Sequence, residues 1–136
     1  MINGLFDRTV TVLQNTLDLR ALRHKLIASN IANQETPGYK ATDINFEREI
    51  KRLGSDSYAT GLATTDKAHK ISSAGRKASP KIVDRPGDVE GYDHNTVGTD
   101  AEMARLSENS LMYTIAAKML RSKFTTLMSA IKEGGR

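Results

Sequence analysis

Hydrophobic residues near the start of the chain recur with the period of a helix. Phe6, Val10, Leu13 and Leu17 are separated by steps of four, three and four, and Leu19, Leu22 and Leu26 follow on a neighbouring stripe. Ile27 and Ile31 extend the apolar face, and no proline or glycine interrupts it. Such spacing returns to one side of an α-helix at every turn, so a helix is predicted from about Leu5 to Asn33. Arg8, Gln14, Asp18, Arg20, Arg23 and Lys25 fill much of its remaining surface.

The end of the chain repeats the pattern. Met103, Leu106, Ser110, Tyr113, Ala117, Leu120, Phe124, Leu127 and Ile131 alternate by threes and fours. That spacing holds for about four heptads, long enough for a coiled-coil seam. Thr99-Asp100-Ala101-Glu102 reads as a capping box at its start, and Gly134-Gly135 closes it. Lys118, Arg121, Lys123 and Lys132 crowd toward the C-terminal end, where the helix dipole favours cations. Leu111, Met112, Ile115, Met119 and Met128 add apolar surface off the seam.

Between them, about Ala41 to Gly98, the composition shifts to Ser, Thr, Gly, Lys and Asp. Ile44 and Phe46 alternate with polar neighbours, which predicts a short extended piece, and Glu47 to Leu53 can add a helical turn or two. Ile82, Val83 and Val89 predict short strands around Pro86-Gly87. The expected fold is mainly α: long N- and C-terminal helices form an antiparallel coiled-coil hairpin, with a loop-rich central insertion containing short extended segments. Residues 1–136 are read as one unit, divided into an N-terminal helix and turn (1–40), a loop-rich middle (41–98) and a C-terminal helix (99–136). Each helix is apolar around more of its circumference than one antiparallel partner covers. The surplus stripe packs either on a small third element or on further copies of the chain, and the sparse middle favours copies.

Composition excludes several functions. The 136 residues contain no cysteine, so disulfides, thiolate metal sites and cysteine nucleophiles are ruled out. Aromatics are 5% and the mean hydropathy is −0.46, which argues against a dense core. His24, His69 and His94 have no ligand spacing, so neither metal nor cofactor is expected. Asp43, Glu47 and Glu49 form an acidic cluster, but Arg48, Lys51 and Arg52 stand close enough to screen it, so a solvated charged face is expected rather than an acid–base pair. No enzyme motif is present, and no catalytic residue is nominated. The net charge is only +4. Lys67, Lys70, Arg76, Lys77, Lys81 and Arg85 form a basic stretch without aromatics for base stacking, so nucleic acid is not an expected partner. No cleavable signal is recognisable at the N-terminus, where Asp7 and Arg8 interrupt any apolar run.

The densest information lies where the first helix ends. Ser29-Asn30-Ile31-Ala32-Asn33 leads through Gln34-Glu35 into Thr36-Pro37-Gly38-Tyr39. Asn30 and Asn33, three apart, share a helix face and can donate to the helix's last carbonyls or to a neighbouring chain. Pro37 and Gly38 suit the central positions of a type II turn, which returns Tyr39 to the helix end.

Taken together, Leu26 to Tyr39 resembles the N-terminal signature of the bacterial flagellar axial proteins, the rod and hook family, and most of all its proximal rod members. The far end agrees: Asp93, then Asn95-Thr96-Val97, then Glu102, then Asn109-Ser110-Leu111 and Tyr113 are similar to that group's D-G-N-T-V…E…N-S-L-x-Y pattern, with His94 where glycine is common. The resemblance implies a structural protein without enzymatic activity or cofactor. It implies export through the flagellar type III apparatus without a cleaved signal, and residence in the basal body rod, in the periplasmic space. It further implies helical self-association, contacts with other rod proteins and with the adaptor between rod and membrane ring, and transmission of torque. The alternative reading of the same residues is a helical binding module whose basic central loop docks on an acidic polymer or anionic surface.

Overall fold

The computed structural model describes residues 8–59, 79–85 and 97–134. Helix α1 runs over Arg8–Ala32, strand β1 over Thr42–Ile44, helix α2 over Phe46–Ala59, strand β2 over Ile82–Asp84 and helix α3 over Thr99–Glu133. The chain is mainly helical, with the long helices at its two ends, as the periodicity predicts. Phe6, Pro86, Gly87 and Val89 lie outside the described residues.

The long helices pair antiparallel. Residues late in α1 meet residues early in α3: Asn30 reaches Glu102, and Arg20, farther back, reaches Asn109. Just past α1, Gln34 accepts a hydrogen bond from the Thr99 hydroxyl. β1 and β2 form a two-stranded antiparallel ladder that pairs Thr42 with Asp84, Asp43 with Val83 and Ile44 with Ile82. The ladder continues where the Arg85 N–H donates to the Ala41 carbonyl at 2.8 Å. The two expected extended pieces therefore pair with each other across the insertion.

α2 is longer than the turn or two expected over Glu47 to Leu53, and Phe46 starts it rather than continuing the strand. Asn45 supplies the reason. Its side-chain oxygen accepts from the Arg48 N–H at 3.0 Å and its carbonyl from the Glu49 N–H at 3.0 Å, which caps the helix. Glu47 and Glu49 in the first turn suit the dipole.

The apolar core among the described residues is small: Val10, Leu19, Ile27, Ala41, Ile44 and Ala116. Among the described residues as many buried side chains are polar, namely Asn15, Asn30, Asp43, Glu49, Glu102 and Asn109. This shifts the expected α3 seam by one residue. The buried positions of α3 are Glu102, Asn109 and Ala116, seven apart, each one position before Met103, Ser110 and Ala117. Leu106, Ala117, Leu120 and Leu127 remain half-buried, whereas Met103, Tyr113, Phe124 and Ile131 are exposed. The buried positions keep the heptad period but differ in phase, because hydrogen bonds to α1 turn Glu102 and Asn109 inward.

The expected capping box is also corrected. Gly98 is the N-cap of α3, with no side-chain cap bond. Thr99 turns to Gln34, and the Glu102 carboxylate turns into the interior instead of back to the helix start.

Candidate assembly site

At the end of α1 the backbone needs acceptors and donors satisfied before it reverses. The Asn33 side-chain amide donates to the Ser29 carbonyl at 2.8 Å, and its N–H donates to the Ser29 and Asn30 carbonyls. Of the two roles open to Asn33, binding its own helix end is the one seen. The Tyr39 N–H then donates to the Thr36 carbonyl at 3.2 Å, with Gly38 at φ +71°. Pro37 followed by a positive-φ glycine is the type II arrangement. The turn returns the Tyr39 hydroxyl to 3.3 Å from the Ser29 hydroxyl, and it donates to Asn30 Oδ1 at 3.4 Å.

Asn30 is fully buried and uses both ends of its amide. Its Oδ1 accepts from the Thr42 N–H at 3.0 Å, and its Nδ2 donates to the Thr42 carbonyl at 3.0 Å and to Glu102 Oε2 at 2.9 Å. Glu102, also fully buried, accepts through Oε1 from Arg85 and, at 2.7 Å, from Arg105. A buried carboxylate needs such partners, because its charge is otherwise costly to remove from water. Arg85 also lies 3.6 Å from Asp43, whose two oxygens are gripped by Arg23 at 3.0 Å each. One connected set of charges and amides thus joins α1, β1, the end of β2 and α3.

A second polar pair lies farther along the helices. The buried Asn109 donates to the Arg20 carbonyl at 2.9 Å and accepts from the Arg20 guanidinium at 3.4 Å, which stacks 4.0 Å over the Phe46 ring. Burial, reinforced by the Arg23 charge and opposed by Glu108, draws the Arg20 pKa below its ordinary value. A groove of about 420 Å³ runs beside this pair, lined by Arg20, His24, Lys25, Asn109 and Tyr113 among others, with no carboxylate in its walls.

The acidic cluster is not a solvated face. Asp43 and Glu49 are buried, and only Glu47 is exposed, paired with Lys51 at 2.6 Å. Burial pushes the Glu49 carboxyl up, but hydrogen bonds from Arg52 and the Lys81 N–H, with the charges of Arg52 and Arg48, outweigh it and leave the pKa below the ordinary carboxylate value. The Glu47 carboxyl is likewise lowered, by its bond to Lys51.

The nominated residues divide by direction. Ser29, Asn30, Asn33, Thr36, Gly38, Tyr39, Glu102 and Asn109 shape the turn and the interior, and Ile31 and Val97 are half-buried beside them. Ala32, Pro37, Ser110, Leu111 and Tyr113 face outward. Asn95 and Thr96 lie outside the described residues, as do Asp93, His69, His94, Lys67, Lys70, Arg76 and Lys77. Sequence reasoning missed Arg23, Asp43, Arg85 and Arg105 as interior groups. Only Arg105 has a local partner, three positions from Glu102; Arg85 meets partners 17 and 42 residues away (Glu102 and Asp43). Among the described residues, no group of three or more His, Cys, Asp or Glu could hold a metal ion, and no helix is long and apolar enough to cross a membrane.

Among the described residues, two long helices thus meet through buried polar groups around a small apolar core, and large apolar side chains of α3 stand outside it. Residues 11–40 match the family described as flagella basal body rod protein. The chain belongs to that family and is a structural component of the flagellar basal body rod. Over 94% of its length it is 32% identical to the flagellar basal body rod protein FlgB of Salmonella typhimurium, covering 96% of that protein. It is 33% identical to FlgB of Escherichia coli K12 over the same shares, and 35% identical to FlgB of Cereibacter sphaeroides over 93% of this chain and 96% of the relative.

Proposed function

We propose that the chain is a non-enzymatic rod subunit that assembles helically through its terminal helices and carries torque across the periplasm. Residues 1–136 act as one axial unit, exported by the flagellar type III apparatus without a cleaved signal. Its neighbours are further copies, other rod proteins, and the adaptor that joins the rod to the membrane ring.

The carrying observation is a second apolar stripe on α3. Leu111, Ile115 and Met119 follow one another at four-residue steps with Met112 beside them, at 61%, 39%, 55% and 40% exposure. Leu111 and Ile115 stand about 200° and 240° around the helix from the buried Asn109, so they point away from α1, and Met112 and Met119 lead from them toward the edge of the α1 contact. Such a surface gains cover from a neighbour, and head-to-tail contact of unlike surfaces builds an open helical array. In this reading the inward half of the motif, with Asn30, Gly38, Tyr39, Glu102 and Asn109, holds the subunit's shape. The outward half, with Ala32, Ser110, Leu111 and Tyr113, meets neighbours.

Complementation of a deletion strain tests this. Leu111→Glu with Ile115→Glu should leave the helix content of the purified chain unchanged and abolish basal bodies and swimming. Normal swimming with the doubly charged stripe would overturn the assembly reading.

A further inference from the structure

We propose that Arg85 and Glu102 form a register lock, in which the central insertion, through β2, fixes how far α1 and α3 are slid along one another. A seam of interchangeable apolar residues tolerates displacement by a turn or a heptad, because one leucine fits another's place. The α1–α3 contact is different. Its fully buried centre is Asn30 against Glu102, and Asn109 against Arg20 forms the next contact. Displacement by one turn, about 5 Å, strands a buried amide and a buried carboxylate. A single buried polar group is an established device for setting register between helices.

The Glu102 pair is further tied to a third point. Arg85 joins Glu102 to Asp43, and Arg23 of α1 grips the same Asp43 through Nε and Nη2. Arg85 is itself placed by the strand ladder, through its N–H to the Ala41 carbonyl. α3 can therefore slide only if β2 is displaced or the Arg85–Glu102 bond is broken. The outward stripe of α3 rides on the same helix, so the lock also sets where that stripe stands relative to α1. The lock is built within one chain and stands apart from the assembly reading.

The absence of native cysteine allows a direct test. Spin labels on Gln14→Cys and Ala104→Cys, both exposed, on opposite helices and about 21 Å apart along the hairpin axis, report sliding of α3 along α1 in the full chain by pulsed electron resonance. The native background should give one narrow distance. Arg85→Met with Glu102→Met removes both charges together and should retain helix content while adding a second distance displaced by about 4–8 Å, most of a slide of one turn to one heptad. Arg85→Gln with Glu102→Gln restores groups able to hydrogen-bond and should return the single distance. A native chain with a broad distribution, a methionine pair that keeps the native distance, or one that loses its helices altogether would each overturn the proposal. The last would make the pair a general stabiliser. Failure of the glutamine pair to restore the distance would overturn it too. Assembly defects in Leu111→Glu leave this readout unaffected, so the two ideas fail separately.

Discussion

The side-chain amide of Asn30 donates to the carboxylate of Glu102 at 2.9 Å, across 72 residues of sequence, with both residues fully shielded from solvent. The two helices thus meet through a charge-assisted hydrogen bond where an apolar seam was expected. Such a contact is sensitive to loss of either partner, because the one left behind stays buried.

Glu102→Ala should therefore be among the most damaging single changes in the chain. It leaves Arg85, Arg105 and the Asn30 amide without their common acceptor, which costs about 3–5 kcal/mol for a broken buried ion pair. Urea titration of the full chain, followed by circular dichroism, should show the midpoint falling sharply or the transition vanishing. A shift no larger than that of Lys51→Ala, which breaks an exposed pair, would contradict this.

Gly38 should tolerate space but not constraint. A Cβ there meets nothing within 4 Å, so the whole penalty comes from φ at +71°. An L-residue held in that region costs about 1–2 kcal/mol, more when branched at Cβ and less for asparagine. Thermal melts should rank the native chain above Gly38→Asn, then Gly38→Ala, then Gly38→Val. Equal melting temperatures would show that the turn relaxes freely.

Glu49 sets a pH dependence. Its carboxyl is depressed in the folded chain, so its contribution is fully present above the unfolded carboxylate value near 4.5 and is lost as pH falls through the folded value. Glu49→Gln should be less stable at neutral pH and should show a flatter loss of stability on acidification. Urea midpoints at intervals between neutral and acid pH check this, and parallel curves for the two proteins would refute it.

Stability should be polarised along the hairpin. The polar network and the turn hold the end at residues 19–44 and 97–109, whereas Ala116 is the last buried residue of α3 among the described residues. Amide hydrogen exchange in the free chain should be slowest at residues 23–30 and 102–109 and fastest beyond residue 121. Uniform protection along α3 would contradict this gradient.

Local chemistry determined what was legible in the sequence: two long helices from their three-and-four spacing, the chain reversal from Pro37-Gly38, and the lack of thiol chemistry from the absence of cysteine. The tertiary structure alone decided which face of each helix turns inward. Periodicity marks a stripe but fixes its direction only when one side is apolar, and α3 has apolar residues on several sides. Its phase was settled by Asn30, Arg20 and Arg85, which draw Asn109 and Glu102 inward and leave Met103 and Leu111 outside. The same cause buried Asp43, which looked solvated beside its sequence neighbours. Its partners Arg23 and Arg85 lie far off along the chain, and only folding brings such charges within reach.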